Sequence, residues 1–527
     1  MHPFESWSPK DILRGSALAM LVLLAADSAH AQSVLRVKPF SDLRSIDPIT
    51  TTDYAVRNHG YMVYDTLFSV DEKLRVRPQM VDRWDTSADG LTWTFRLRSG
   101  LAFHDGAPVT AADVVASLKR WAARDNHGQL LTERMASLDA LDDNTFRIVL
   151  KKPWGLLLEA LGKPSSLVPF IMPARIAATP PTTPITDPVG SGPYIMRRDL
   201  WVSGSKVVYD KNTKYVPRSE PADGLAGGKR VAFDRVEWVI MSDPQTATAA
   251  LQRGEIDIYE DVSPDLVPVL ARRNDVRLET GNSGQHMVLR INSTQPPFNN
   301  PKLRQALRYA VDQANYIRAY TDDAKQGKVC ASMYTCSSPY MSSAGWVKPD
   351  LERARALVRE AGYDGTPVVI LQPTDIPNLN TYAQVTDQLL RDIGLMTRLE
   401  AMDWASVTSR RAKTDPVDKG GWSIFVAGPN LLDTMDPLPH FAMRAACEKS
   451  WPGWPCDAEM ENLRGAFADA VSDAERKKIA EQYQLRALEV VPYQPLGELV
   501  AYRGFRANLS GALITPVPVY WNISRKP

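Results

Sequence analysis

Along the chain, apolar residues alternate in some stretches and recur every three or four positions in others, and the two rhythms mark strands and helices. In "TWTFRLR", Trp93, Phe95 and Leu97 share one side while Thr94 and Arg96 take the other, the period of two that predicts a strand. "TFRIVLK" repeats it with Phe146, Ile148 and Leu150, and "RVEWVIM" (235–241), "EIDIY" (255–259), "HMVLRI" (286–291) and "PVVIL" (367–371) read as further strands. Val114, Leu118 and Trp121 follow helical spacing after Thr110, which stands three residues before Asp113 as a capping box does. Asn300 and Pro301 open a helix whose apolar face is Leu303, Ala306, Leu307, Ala310 and Val311. "DPQTATAALQRG" predicts a helix stopped by Gly254, "PDLERARALVREAGY" one running from Asp350 to Gly362, and "TYAQVTDQLLRDIG" one ending at Gly394. Two more helices run from Asp457 to about Val490, the second opened by Ser472 with Glu475 three residues on, and the tail returns through "YQPLGELVAYRGF". Strand, helix and strand between 235 and 259 form a β-α-β unit, so the class is α/β with a mixed or parallel sheet.

Breaks in these rhythms divide the chain. "SIDPITTTDYAVRNHGYMVYDTLF" passes from a proline turn into a helix, a compact α+β stretch follows from about 69, and the Pro/Thr-rich "ATPPTTPITDPVG" (178–190) closes it. At the start, Lys10 and Arg14 precede the short apolar run "ALAMLVLLAA", and Ala29-His30-Ala31 supplies a small-x-small site; this predicts an export signal cleaved after Ala31. The expected location is therefore the periplasm, as a soluble protein. Cys330, Cys336, Cys447 and Cys456 fit an oxidising compartment, and neither spacing is a zinc pattern. Four cysteines allow three pairings, of which two local loops are the economical one.

Composition removes several classes. The 527 residues carry a net charge of +1, which gives no basic field for nucleic acid. The seven histidines form no H-E-x-x-H pair, no G-x-S-x-G elbow is present, and "GSG" at 190–192 runs into Pro193 where a phosphate loop would start a helix, so it reads as a tight turn. His104 beside Asp105 could suggest proton transfer, but the pair sits between a strand and a capped helix at a turn dipeptide, Asp105-Gly106, which favours a scaffold role. No metal, cofactor or catalytic set is indicated.

The residues 45–121, "GSGPY" (190–194), "RGEIDI" (253–258), "NSTQPPFNNPKLRQALRYAVD" (292–312) and "ERARALVREAGYDG" (352–365), in this order, resemble the peptide/nickel class of bacterial extracellular solute-binding proteins, receptors of ABC importers. The resemblance implies a two-lobed periplasmic-binding-protein fold with hinged lobes of mixed sheet and helices, and an extra α+β subdomain. Lobe one would comprise 33–68, 188–287 and 497–527, with the subdomain at 69–187 and lobe two at 288–496. It implies capture of a small solute, foremost a short peptide, and delivery to a membrane permease by a monomer. Its rivals are an exported carboxylate-dependent hydrolase, and a receptor for a metal chelate, sugar or other organic solute or for a sensor.

In peptide-binding relatives a tryptophan lines the cleft and the aspartate of a following G-W-x-x-D segment holds the ligand's amino group. Trp404 in "AMDWASV" matches the tryptophan, and Asp433 in "GPNLLDTMDPL" the aspartate, with Pro429 and Asn430 where Gly and Trp are expected. Residues Tyr54 to His59, among them Arg57 and Asn58, should border the cleft from lobe one, and His286 is a further candidate on a lobe-crossing strand.

Overall fold

The computed structural model describes residues 32–526, the side chains at 281–283 excepted, so the export-signal reading lies outside the described residues. Its centre is one mixed sheet of eleven strands. From one edge the order is Tyr194–Met196, Lys206–Lys211, Arg235–Val239, Val34–Lys38, Ile258–Val262, Tyr493–Arg506, Val276–Ile291, Ile424–Ala427, Val368–Pro373 and Thr397–Met402, with Gly327–Lys328 pairing off to the side of Tyr493–Arg506. The strands flanking the expected β-α-β helix, Pro244–Arg253, are parallel but not adjacent, because Val34–Lys38 lies between them and pairs with both. The second of them starts at Ile258, so residues 255–257 belong to the turn after Gly254, whose φ of +73° suits only glycine well.

Two long antiparallel strands carry the chain from one half of the sheet to the other. Val276–Ile291 has 16 residues and Tyr493–Arg506 has 14, and they pair from Val276↔Arg506 to Arg290↔Tyr493. Their register shifts between Thr280 and Gly284 and again between His286 and Val288, midway between the halves. The first half joins them through Ile258–Val262, the second through Ile424–Ala427. Only the last third of the longer strand, "HMVLRI", carried a readable alternation.

A separate four-stranded antiparallel sheet, ordered Val81–Thr86, Thr92–Leu97, Thr145–Leu150 and Met135–Ala140, stands outside the main sheet. Phe95, Leu97, Phe146, Ile148 and Leu150 turn inward, as their alternation predicts, against Val114, Leu118 and Trp121 of helix Ala111–Ala122. That helix begins as its sequence requires: the carboxylate of Asp113 accepts from the Thr110 amide at 2.8 Å and from its hydroxyl at 2.7 Å. The helices capped by Asn300, Asp350 and Ser472 form at Pro301–Ala310, Leu351–Glu360 and Asp473–Val490. The helix before Gly394 is longer than its clear periodicity and starts at Pro377. Both disulfides are local, Cys330–Cys336 and Cys447–Cys456. No helix among the described residues is long and apolar enough to cross a membrane.

His104 supports the backbone. Its Nε2 lies 3.2 Å from the Gly192 carbonyl and its Nδ1 accepts from the Gly190 amide at 3.3 Å. Asp105 turns away to its own loop and to Arg175. Burial lowers His104 to about 4, so the ring is neutral and serves to hold the "GSG" turn. That turn needs glycine: a Cβ on Gly190 would stand 2.0 Å from the Val63 carbonyl oxygen.

Candidate functional site

The halves of the main sheet meet over the crossing strands, and three segments converge there. The first is helix Tyr54–Val63, started by Asp53, whose carboxylate accepts from the Ala55 amide at 2.9 Å. The second is the loop 428–434 after strand Ile424–Ala427, and the third is Trp404–Arg410, capped by Asp403.

Two small chambers lie between them. One, of about 40 Å³, is lined by Asp53, Tyr54, Gln285, Trp404, Arg411 and Pro429, among others. The other, of about 70 Å³, includes Tyr54, Arg57, Asn58, Asp261, Asn430 and Arg503. Phe40, Tyr54 and Gln285 wall both. A wider space of about 710 Å³ shares Pro516 with the second chamber and continues past Gly284, Leu431 and Val500; that is the volume of a typical small-ligand site. A larger space, about 1150 Å³, is an open groove elsewhere, between Leu118 and Glu461, bridged by Arg134 to Asp469 at 2.6 Å. The chambers at the crossing strands are the better candidate, because their polar groups come from both halves and several lack partners.

Asp433 is fully buried, and its Oδ2 accepts from the Tyr54 hydroxyl at 2.7 Å and from Ser165 at 2.9 Å. Arg57 donates to Ser165 at 2.7 Å, grips the Asn58 side chain, and covers the Tyr54 ring at 4.4 Å. Burial raises the Asp433 pKa, opposed by the charge of Lys163 and the Tyr54 hydrogen bond. Its Oδ1 has no hydrogen-bond partner among the described residues. Asn430 caps the short turn carrying Asp433, accepting from Leu432 at 3.0 Å, and reaches the Pro516 carbonyl at 3.2 Å.

The sequence candidates therefore divide. Tyr54, Arg57, Asn58, Trp404, Pro429 and Asn430 all wall the chambers. Asp433 stands behind that wall, tied to residues on the other side of the cleft. His59 faces away and lies 2.9 Å from the Tyr209 hydroxyl in the interior. His286 is also turned inward, toward Tyr493 at 3.5 Å and Glu498 at 3.7 Å, because strand side chains alternate; its neighbour Gln285 takes the cleft face. His286, Glu498 and Cys330 come close enough to suggest a metal site, but the Cys330 sulfur is committed to Cys336.

Sequence reading missed Phe40, Asp261, Gln285, Arg411 and Arg503. Arg411 is held among Trp404, Phe425 and Trp451 at 5.1–5.5 Å, and it makes one side-chain hydrogen bond, to Thr52 at 3.3 Å. Burial lowers its pKa to about 10, so it stays charged at neutral pH. No sequence pattern marks it: the arginine follows a short helix and gains its setting from aromatic rings 7, 14 and 40 positions away, those of Trp404, Phe425 and Trp451.

The family model for bacterial extracellular solute-binding proteins, family 5 Middle, matches residues 75–450. A probable peptide ABC transporter periplasmic-binding protein of Sinorhizobium fredii is 40% identical over 97% of this chain and 97% of its own length. A glutathione-binding protein of Salmonella typhi is 28% identical over 74% of this chain and 73% of its own. Among solved structures, the periplasmic binding protein DppA of Helicobacter pylori in complex with the peptide STSA superposes with a TM-score of 0.79 at 21% identity, covering 94% of this chain and 99% of that one; this likeness shows the fold.

Proposed function

The chain belongs to family 5 of the bacterial extracellular solute-binding proteins, and from that premise we propose that it captures a short peptide between its two lobes and delivers it to an ABC transporter permease. The observation that carries this reading is the bridge of Tyr54 and Ser165 to Asp433 across the cleft, at the point where two long strands link the halves. Such strands can flex at their register shifts and let the halves close over a ligand, excluding water. The closed form then presents both lobe surfaces to the permease, and ligand shifts the open–closed equilibrium by its differential affinity. Lobe one comprises 33–68, 188–287 and 497–527, the subdomain 69–187, and lobe two 288–496. The protein works as an exported periplasmic monomer, and its cleft returns the ligand unchanged, so no catalytic step is assigned.

Tyr54, Arg57, Asn58, Trp404, Pro429 and Asn430 are assigned to the ligand wall. The resemblance assigned a ligand ammonium to Asp433. Its Oδ2 is shared by Tyr54 and Ser165, while its buried Oδ1, which has no hydrogen-bond partner among the described residues, is left for that ammonium. The test is native mass spectrometry of the purified protein for a co-purified solute, followed by titration with dipeptides while Trp404 fluorescence reports closure. A shift on binding with recovery of intact peptide supports capture; peptide hydrolysis at a rate proportional to protein would overturn it.

A further inference from the structure

On the side of the crossing strands turned away from the chambers, His286 and Glu498 face each other as register partners, beside a register shift. Both are buried, and the His286 Nδ1 lies 3.7 Å from the Glu498 carboxylate with no hydrogen-bond partner of its own among the described residues. The tautomer of the ring is set from its other side. The Tyr493 hydroxyl gives its proton to the Met333 carbonyl, so its oxygen meets the His286 Nε2 at 3.5 Å as an acceptor. The ring proton therefore sits on Nε2, and Nδ1 points a lone pair at a carboxylate. Glu498 accepts from the Thr335 hydroxyl at 2.6 Å and the Cys336 amide at 2.5 Å, both on Oε1. Two electron-rich atoms facing each other out of water repel, and a cation between them removes that repulsion.

The third donor is Cys330. Its sulfur, a His286 nitrogen and a Glu498 oxygen all lie within 4.8 Å of one another, and the ligands of one tetrahedral metal ion stand about 3.3–3.8 Å apart. Gln313 keeps Cys330 in place whether or not its disulfide is closed: the Cys330 amide donates to the Gln313 side chain at 2.7 Å, and its carbonyl accepts from that side chain at 2.9 Å. Cys330 is fully buried and Cys336 partly exposed, so an incoming thiol meets Cys336 first. We propose that His286, Cys330 and Glu498 bind one borderline-soft divalent cation, such as Zn2+, when the Cys330–Cys336 disulfide is open. A dithiol reductant attacks the Cys336 sulfur through one thiolate and expels the Cys330 thiolate, which forms the sulfur–metal bond. The second thiol of the reductant then closes on the first; Cys336 leaves as a thiol, the reductant as a disulfide, and one proton goes to solvent. The thiolate and the carboxylate cancel the charge of the cation, so the site is neutral in the interior, with water in the fourth position. Tyr493 supports the imidazole from behind, as outer groups of metal sites do. Such a cation ties the two crossing strands to the loop after Gly327–Lys328 and competes with the disulfide for Cys330.

The test uses the full exported protein with Cys336→Ser, which frees Cys330 without a reductant, titrated with Co2+ and then with Zn2+. Co2+ is expected to bind once per chain with a thiolate-to-cobalt charge-transfer band, and Zn2+ to abolish that band. Adding His286→Gln or Glu498→Gln to this variant should weaken Zn2+ at least about tenfold, the loss that even a supporting group of a metal site causes. Zn2+ should raise the melting temperature of Cys336→Ser and leave that of the disulfide-bonded wild type unchanged. Absence of the band overturns the site, as does a Zn2+ affinity indifferent to either glutamine replacement, or an equal rise in the wild type. Should Cys336→Ser not fold, the Cys447→Ala/Cys456→Ala variant, opened with a phosphine and desalted, reads the same band, and its absence there overturns the proposal.

Discussion

Arg290 and Arg411 lie over the same Trp451 ring, at 5.0 and 5.1 Å, yet they belong to different kinds of region. Arg290 donates to the carbonyls of Ala442, Trp451, Pro452 and Pro492 at 2.7–2.9 Å, and so pins three chain segments to the crossing strand. Arg411, across the ring, makes one long hydrogen bond and faces the cleft. Burial lowers both, to about 9 and about 10, so both keep their charge at neutral pH. The difference teaches that burial does not separate a structural charge from a functional one here. What separates them is how many donors the protein itself has used.

The largest effect expected on the pinned side is a response to acid. His440 packs near Arg290, and burial holds it at about 3, against about 6.5 in the unfolded chain. Because the folded value is depressed, the unfolded chain takes up the proton first, and stability falls as pH drops from 6.5 toward 3. The limit is on the order of 5 kcal/mol. Urea denaturation at pH 7, 5 and 4 should show the gap between wild type and His440→Gln narrowing with acid; parallel curves would show that this ring does not govern the loss.

Next, Arg290→Met should cost about 3–5 kcal/mol of stability, because it strands four buried carbonyls. Arg411→Met should leave the denaturation midpoint near wild type and instead weaken ligand binding, by about 2–5 kcal/mol if a ligand anion meets it. Calorimetry beside denaturation reads both quantities, and a reversal of the two outcomes would erase the contrast. Replacing Cys447 and Cys456 by alanine should remove about 2–3 kcal/mol by releasing the loop that leads to Trp451 and Pro452. Non-reducing peptide mapping would check the pairing first. The smallest effect belongs to His104→Ala, with affinity within a few-fold and a stability change of about 1 kcal/mol, for two hydrogen bonds to a turn remote from the cleft. A hundredfold loss of binding with an intact fold would return His104 to the functional region.

Legibility in the sequence followed the range of the causes. Helix starts at Asn300, Asp350 and Ser472 and the strand faces at Phe95 and Phe146 were readable because caps and alternation act within a few residues. The long crossing strands were half readable: in Val276–Ile291 the buried stretch from His286 reads as a strand while the partly exposed, polar 277–280 does not, and Tyr493–Arg506 carries Pro495 and Gly497, which mask it. Among cleft residues, Tyr54, Arg57, Asn58, Trp404, Pro429 and Asn430 were reached only through family resemblance, and His286 was chosen where the strand's pleat presents Gln285.

By itself, then, the sequence determined the α/β elements, their caps and turns, and the family to which they belong, because each of these is encoded by neighbouring residues or by motif order. Tertiary structure alone decided that Val34–Lys38 slots inside the β-α-β unit, that one carboxylate oxygen of Asp433 is bound by Tyr54 and Ser165, and that Asp261 and Arg503 face one chamber. Whether a charge is satisfied depends on groups hundreds of residues away, and in the last case on a one-residue bulge in register, which no local pattern encodes.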